Sequence, residues 1–243
     1  MIKILDGATA IGASRVVKIP YGCTDHTVEV ALTSLGVTAI SACTVKLQGG
    51  MKNIETEVID NPTMIEGSTT DRVATSAFNF MIKGVSYTSA AEAAGHEFSA
   101  AHTITATKYG VIIMYIDAAG TISSVVPLAT QEYASAAAAH TAADALPVSP
   151  NKCLVGRILI QADAGNWVGN TDDFSSDLTS ATFINATSSF YDLTSHTFSA
   201  GEITAHRAMF HQTDKTVRYI RAYLSTLTGT GEVTVKYNPA MVH

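Results

Sequence analysis

Near both ends of the chain, apolar residues alternate with polar or small ones, and this pattern restricts the fold more than any other feature. From His26 to Thr33, the apolar side chains Val28, Val30 and Leu32 occupy every second position. The same alternation recurs over Cys43–Leu47 and again over Glu232–Tyr237. Successive side chains of a β-strand point to opposite faces of the sheet, so the pattern predicts strands that turn one face to a core.

The C-terminal segment predicts a β-hairpin. Val217–Leu224 has the composition of a strand, Thr228-Gly229-Thr230-Gly231 forms a turn, and Glu232–Tyr237 returns as the alternating strand. An isolated hairpin is only marginally stable in water. We therefore expect the two ends of the chain to pack together in one β-sandwich.

The middle of the chain has a different character. Val111–Ile116 is apolar at every position, which is typical of a strand buried on both faces, and Leu154–Ala162 predicts another strand. Between them, Thr130–Leu146 predicts one alanine-rich helix, with Thr130 as its N-cap and Pro147 just beyond its end.

These patterns together predict a mainly β protein with two domains. The first is a discontinuous β-sandwich built from residues 1–70 and 190–243. The second is an inserted α+β domain over residues 77–184 that contains the alanine-rich helix. Insertions at loop tips are well tolerated because they leave the host core intact.

The charge of the chain limits its partners. Charged residues make up only 15% of the sequence and the net charge is -6, against about 25% charged residues in a typical soluble domain. No cluster of Lys and Arg occurs, so we expect no direct binding to nucleic acid. A surface rich in hydroxyl groups is less costly to desolvate than a charged one, which favours packing against other proteins.

Other features point to assembly inside a cell. The three cysteines form no C-x-x-C pair and their number is odd, so we expect reduced thiols and no disulfide. We also expect no signal peptide and no contact with a membrane, because no apolar stretch approaches the ~20 residues that span a bilayer.

Several segments resemble the structural proteins of bacteriophage particles. Val217–Tyr237 (VRYIRAYLSTLTGTGEVTVKY) resembles the closing hairpin of many small virion proteins, and Val45–Gly50 resembles the strand and turn that precede it. In the middle, Lys108–Ile122 and Val155–Ala162 are similar to phage structural sequences. The chain departs from the family at Gly49–Asn53, where the related turn usually carries Ser-x-Asp-Gly after the glycine.

The resemblance implies a non-enzymatic virion protein that assembles in the host cytoplasm. The expected role is that of a capsid decoration, or cement, protein that forms a homo-oligomer and contacts the major capsid protein or other virion proteins. The alternative is a tail, baseplate or fibre component that binds a glycan during attachment to the host.

Three residues are candidates for an interface or for glycan contact. Trp167, the single tryptophan, lies in Gly165–Gly169, and the glycines indicate an exposed loop. Its ring either contacts a sugar or anchors the loop in its own domain or in a neighbouring protein. Alternation places Arg221 and Tyr223 on one strand face, where they form an interface or where Arg221 extends along an ordinary sandwich strand toward water.

No catalytic residue, cofactor or metal is predicted. Neither G-x-S-x-G nor a phosphate-binding G-x-x-x-x-G-K-[ST] loop occurs. A metal site at Glu202, His206 and His211 is not expected, because the four-residue spacing of Glu202 and His206 suits a helix whereas the surrounding sequence is strand-like. Ordinary explanations are favoured for the other candidates: a solvated acidic loop rather than calcium binding by Asp172, Asp173 and Asp177, an exposed strand face rather than hydrolysis by Glu55 and Glu57, and a core thiol rather than a nucleophile at Cys43. Asn185 begins a glycosylation sequon, which has no meaning without a signal peptide.

Overall fold

A computed structural model describes residues 2–14, 16–19, 23–35, 38–52, 54–69, 71–147, 149–212 and 217–241. At residues 23–25, 211–212 and 239–241 it describes the backbone alone. The described chain is mainly β, as predicted, and it has two helices.

The strands of the described residues follow one another in short runs. In chain order they are β1 (Ile2–Ala8), β2 (Gly12–Ala13), β3 (Val17–Lys18), β4 (Cys23–Ser34), β5 (Ala42–Gly50), β6 (Glu57–Val58), β7 (Ile65–Glu66), β8 (Arg72–Thr75), β9 (Phe78–Ile82), β10 (Val85–Ser89), β11 (Glu92–Glu97), β12 (Thr103–Ile104), β13 (Tyr109–Asp117), β14 (Ile122–Val125), β15 (Thr130–Gln131), β16 (Lys152–Ala162), β17 (Trp167–Val168), β18 (Leu178–Asn185), β19 (Tyr191–Thr197), β20 (Arg207–Gln212), β21 (Tyr219–Thr228) and β22 (Gly231–Met241). The helices are α1 (Ala136–Asp144) and α2 (Ala200–Ala205).

The chain divides into two compact units. Unit 1 comprises Met1–Glu55, Lys83–Ser86 and Ser188–His243, and unit 2 comprises Thr56–Ile82 and Tyr87–Thr187. Both ends of the chain thus belong to unit 1. The middle of the chain forms unit 2, apart from Lys83–Ser86, which comprise the turn after β9 and the first two residues of β10.

Unit 1 is a sandwich of two antiparallel sheets. The first sheet has the order β1-β22-β4-β20, and the second has the order β19-β5-β21, with β2 and β3 both paired to the far side of β21. If β2 and β3 count as one interrupted strand, the eight described strands of these two sheets lie in the orders 1-8-3-6 and 5-4-7-2. This is the strand order of a jelly roll, a double-sheet architecture built from two Greek keys.

The alternating segments supply the core of this sandwich. On β4, Val28 and Val30 are fully buried, and Val45 of β5 pairs directly with Leu224 of β21. Around them lie apolar side chains of both sheets: Leu32, Cys43, Leu47, Ile220, Ala222, Val233, Val235 and Tyr237. The two-residue period therefore identifies the inward faces correctly, because each sheet buries one face against the other.

Unit 2 is built around the sheet β14-β13-β16-β18. Strand β13 is buried on both faces, as its uninterrupted apolar sequence predicts. On one face Ile112 and Met114 enter the larger core of the unit, and on the other Val111 and Ile113 pack with the helix α1. Ala139 is the most deeply buried residue of that helix, with no exposed surface.

The alanine-rich helix begins later than the sequence analysis predicts. Its N-cap is Ser135, whose side chain accepts a hydrogen bond from the backbone of Ala138 at 3.2 Å. Thr130 lies instead in β15, which pairs with β12. Next to it, the side-chain amide of the buried Gln131 both accepts from N–H and donates to C=O of Val111. These two hydrogen bonds hold the segment in a strand, and sequence gives no sign of so distant a partner.

The boundary between the two units also differs from the prediction. The sequence patterns predict residues 56–70 to be part of the terminal β-sandwich, but these residues belong to unit 2. There β6 pairs with β9, and β7 pairs with β8. Val58 and Met64 are both buried in the larger core of unit 2, and the apolar surface that they contribute explains the assignment.

Candidate functional site

Arg221 lies at the centre of a buried polar cluster in unit 1. The side chain has no exposed surface, and its guanidinium carbon lies 4.4 Å from the centre of the Phe190 ring. Its Nε donates to Oε1 of Gln48 at 2.8 Å, and Nη2 donates to Oγ of Ser188 at 3.0 Å. A buried guanidinium needs hydrogen-bond acceptors for its N–H groups, because an unpaired charge in the interior is strongly unfavourable.

The cluster extends toward the surface through Asp192. Its Oδ1 accepts from Nε2 of Gln48 at 2.7 Å, and its Oδ2 forms an ion pair with Nζ of Lys46 at 2.7 Å. The carboxylate thus orients the amide of Gln48, whose oxygen is left to accept from Arg221. The chain Arg221–Gln48–Asp192–Lys46 joins β21, β5 and β19, and it fastens the segment that starts at Ser188 to the sheet.

The two strand residues predicted as interface contacts are therefore interior residues. Arg221 is fully buried and Tyr223 is 6% exposed. Both faces of β21 are covered, since Ile220, Ala222 and Leu224 of the opposite face lie in the sandwich core. Arg221 does not extend toward water, because Ser188 and Phe190 close over it.

Trp167 is also an interior residue, so the expectation of an exposed loop is wrong. It lies in β17 and has no exposed surface. Its ring packs edge-on against Phe98, with centroids 6.3 Å apart, and at 5.6 Å from Phe174. Phe183 extends this aromatic group through Phe174 at 5.7 Å. Of the two alternatives raised for Trp167, the structure places it as an anchor within its own unit.

The glycine that follows Trp167 has a packing role. A β-carbon on Gly169 would lie 2.8 Å from the carbonyl oxygen of Ser99 and 3.0 Å from the side chain of Phe98. The backbone at this position therefore approaches its neighbour more closely than any larger residue allows. A glycine beside a tryptophan is compatible with a tight core as well as with an exposed loop, and this explains the error.

Glu202 caps the N-terminus of a helix. It belongs to α2, a helix that the sequence analysis rejected, and it forms a capping box with Ser199. Hydrogen bonds from the backbone and the side chain of Ser199 lower the pKa of Glu202, with a further contribution from His196 at 3.0 Å. The S-x-x-E pattern of Ser199–Glu202 is the sequence signal that could have identified this helix.

The candidate metal ligands Glu202, His206 and His211 are not seen together as a metal site within the residues that the structure describes. His206 takes the left-handed conformation that ends α2, and its backbone N–H faces the carbonyls of Glu202 and Ile203. His211 lies in β20, but its side chain is outside the described part of the chain. Among the described residues, no group of three His, Cys, Asp or Glu side chains is placed to hold a metal ion.

The acidic loop near Trp167 is held by its own carboxylates. Oδ2 of Asp172 accepts from the backbone N–H of Val168 at 2.6 Å, and Oδ2 of Asp177 accepts from that of Asp173 at 2.8 Å. These are the local hydrogen bonds by which Asp residues stabilise turns. They give the aspartates a structural role in a loop that packs beside the aromatic group.

Glu55 and Glu57, considered for hydrolysis, and Asn185, considered for glycosylation, lie in different surroundings. Glu57 lies in β6 and is only 8% exposed, whereas Glu55 is exposed and precedes the strand. The side-chain oxygen of Asn185 accepts from the backbone N–H of Met64 at 2.7 Å. Asn185 therefore helps to hold the Met64 segment against the end of β18.

Two of the three cysteines are buried free thiols. Burial raises the pKa of Cys43 to about 11 and, together with the nearby Glu57 carboxylate, raises the pKa of Cys153 to about 12. A thiol with so high a pKa is not a nucleophile at neutral pH. The side chain of Cys23 lies outside the described part of the chain.

No family model, curated protein or solved structure matches this chain. Within the described residues, neither helix has the length and apolar character needed to cross a membrane. The features that bear on function are therefore the jelly-roll order of unit 1, the weakly charged composition, and the burial of all three residues proposed as surface contacts.

Proposed function

We propose that this chain is a non-enzymatic structural protein of a bacteriophage particle, and that it acts as a decoration protein on the capsid. The observation that carries the proposal is the strand order of unit 1. Double-sheet jelly rolls occur in viral capsid proteins and in lectins. A fold alone does not specify a function, so the resemblance of Val217–Tyr237 and Lys108–Ile122 to phage virion sequences supplies the particle class.

The proposed mechanism is contact with neighbouring proteins of the shell. A ligand that binds the assembled shell but not its separate subunits shifts the equilibrium toward the intact particle. Each copy would bury about 1,000–2,000 Å² against its neighbours, the usual range for a specific interface. With charged residues at 15% of the sequence, much of this area would be hydroxyl-rich, and binding would depend only weakly on salt.

Glycan binding in a tail or fibre is the second candidate, because lectins also use jelly rolls. Sugar sites commonly include an exposed aromatic ring, and the ring first considered for this role, Trp167, is buried. Among the described residues, the set of exposed large apolar side chains includes one aromatic residue, Tyr191, which is 47% exposed. One exposed tyrosine on an edge strand is a weaker argument than the resemblance to virion proteins, so we favour decoration.

The two candidates are separated by a binding experiment with purified protein. Shells that lack this protein should bind it at a stoichiometry set by the shell symmetry, and their melting temperature should rise. Binding should change little when the salt concentration is raised, because few charges are available for the interface. Tyr191→Ala should bind shells as the wild type does.

The opposite pattern would overturn the proposal. Under the glycan hypothesis, the protein would bind host cells or isolated polysaccharide, free sugar would compete, and Tyr191→Ala would abolish binding. Sugar-competed binding to cells without any affinity for shells would assign the chain to attachment rather than to the capsid.

A further inference from the structure

The longest edge strand among the described residues is β18 in unit 2. It has eight residues and forms the end of the sheet β14-β13-β16-β18. On its inner side it is hydrogen-bonded to β16 from Gly156 to Ala162, and the pairing is regular from Ser180 to Asn185. No other described strand pairs with its outer side.

The outer side of this strand presents backbone groups to a partner. Ala186 donates its N–H to the carbonyl of Val155. In an antiparallel pair the direction alternates along the strand, so Ser180, Thr182 and Ile184 direct their backbone groups at β16. Ala181 and Phe183 therefore direct theirs outward, away from the sheet.

The edge of β18 carries none of the charges that protect other edges. Its sequence, LTSATFIN, contains no charged residue and no proline. By contrast, Lys3 and Asp6 lie on the edge strand β1, which is also interrupted by two register shifts. The edge strands β19 and β20 carry Asp192 and Arg207. Charges, prolines and irregularities are the usual means by which natural proteins prevent an edge from pairing with another chain.

Apolar surface also remains at this edge. On β16, the core-facing Ile158 and Ile160 have no exposed surface. Their partners across the ladder, Phe183 and Ala181, are only half-buried although they face the same core. On the opposite face Ile184 is 38% exposed. An additional strand alongside β18 would cover both faces of this rim.

We propose that β18 is a docking edge for a second copy of this chain. Two β18 strands would pair antiparallel around a two-fold axis at Thr182, which joins two four-stranded sheets into one. In this register Ala181 lies opposite Phe183 of the other copy, and both offer outward backbone groups. Thr182 lies opposite Thr182, the non-hydrogen-bonded position at which side chains approach most closely.

A second copy is the occupant that the charges of the strand favour. In a two-fold symmetric pair, a charge at the axis would face the same charge of the other copy, and a charge next to the axis would lie diagonally close to its own copy. An uncharged strand avoids this repulsion in every symmetric register. This pairing holds whether or not the chain belongs to a virion, so its test is independent of the function proposed above.

The first test is the mass of the protein in solution, measured by size-exclusion chromatography with light scattering. The wild type should show the mass of two chains. Thr182→Lys places two lysines opposite each other at the axis and should shift the protein to the mass of one chain. Thr141→Lys, an exposed threonine of α1 in the same unit, is the matched control and should remain a dimer. Circular dichroism would verify that both variants keep the β-rich fold.

The second test is site-specific cross-linking in a Cys23→Ser background. Non-hydrogen-bonded partners have Cα atoms about 4.5 Å apart, which is within the range of a disulfide. Thr182→Cys should therefore form a covalent dimer on mild oxidation, and Thr141→Cys should not. A wild-type monomer at all accessible concentrations would overturn the proposal, and so would a dimer that Thr182→Lys leaves intact. If both lysine variants are monomeric, the cross-link decides.

Discussion

Nε of Arg221 donates a hydrogen bond to Oε1 of Gln48 across 2.8 Å, although both side chains lie in the interior of unit 1. The two residues are paired directly across neighbouring strands of the second sheet. Asp192 holds the other end of the Gln48 amide. A charge that a strand pattern would place at the surface is therefore buried inside a chain of polar contacts.

This arrangement predicts that Arg221→Ala strongly destabilises unit 1. The change leaves Gln48 and Ser188 without the guanidinium and removes the cation that packs on Phe190. Losing a large buried side chain and leaving its buried hydrogen-bond partners unsatisfied typically costs about 3–5 kcal/mol of unfolding free energy. Arg207→Ala, at an exposed position of the edge strand β20, is the control and should change the free energy by about 0.5 kcal/mol or less. Urea titration followed by circular dichroism measures both; equal losses would contradict the role assigned to Arg221.

Trp167 provides a second prediction, because it is the single tryptophan of the chain. Its fluorescence should be blue-shifted relative to the denatured protein, and iodide should quench it poorly. Trp167→Ala should lower the free energy of unfolding by about 3–5 kcal/mol, the usual cost of removing a large aromatic side chain from a core. Trp167→Phe keeps the aromatic contacts with Phe98 and Phe174, so it should cost less. An emission spectrum like that of the denatured protein would show that the indole is exposed.

The buried thiols predict slow reaction with thiol reagents. Burial raises the pKa of Cys43 to about 11 and that of Cys153, which also lies near Glu57, to about 12. In a Cys23→Ser variant, the native protein should react negligibly with an aromatic disulfide reagent at about pH 8, since the thiolate is the reactive form. The denatured protein should react at both remaining cysteines without prior reduction. Rapid reaction in the native state would show that these thiols are accessible.

His96 predicts a loss of stability at acid pH. Burial lowers the pKa of His96 from 6.5, the nearby His102 lowers it further, and Glu97 opposes the change. The unfolded chain therefore takes up protons before the folded chain does. The stability linked to this group is complete above the ordinary histidine pKa and is lost as the pH falls toward the lower folded value.

The measurement compares urea midpoints at about pH 7.5 and about pH 5.5, on either side of the ordinary histidine pKa. His96→Gln should reduce the difference between the two midpoints. His140→Gln, on α1, is the matched control for replacing a histidine by glutamine elsewhere in unit 2. An identical pH dependence in the wild type and in His96→Gln would exclude His96 as the cause.

Several elements were predictable from sequence because one local signal was sufficient. The inward residues of β4, β5 and β22 follow from the two-residue period, since every strand with one buried face must alternate. The uninterrupted apolar sequence of β13 indicates that this strand is buried on both faces. The capping box at Ser199 was present in the same way but was outweighed by the strand-like residues that surround it.

What the sequence alone determined is therefore which segments are strands and which of their faces are apolar. The tertiary structure decided the surroundings of single residues. Gln131 became part of a strand because Val111 offers both of its backbone groups. Trp167 became a core residue because Phe98 and Phe174 surround it, and Arg221 was buried because Gln48, Ser188 and Phe190 close over it. Apart from Phe174, which is near Trp167 in sequence, these partners lie 20 or more residues away along the chain. A local pattern carries no information about contacts that only folding creates.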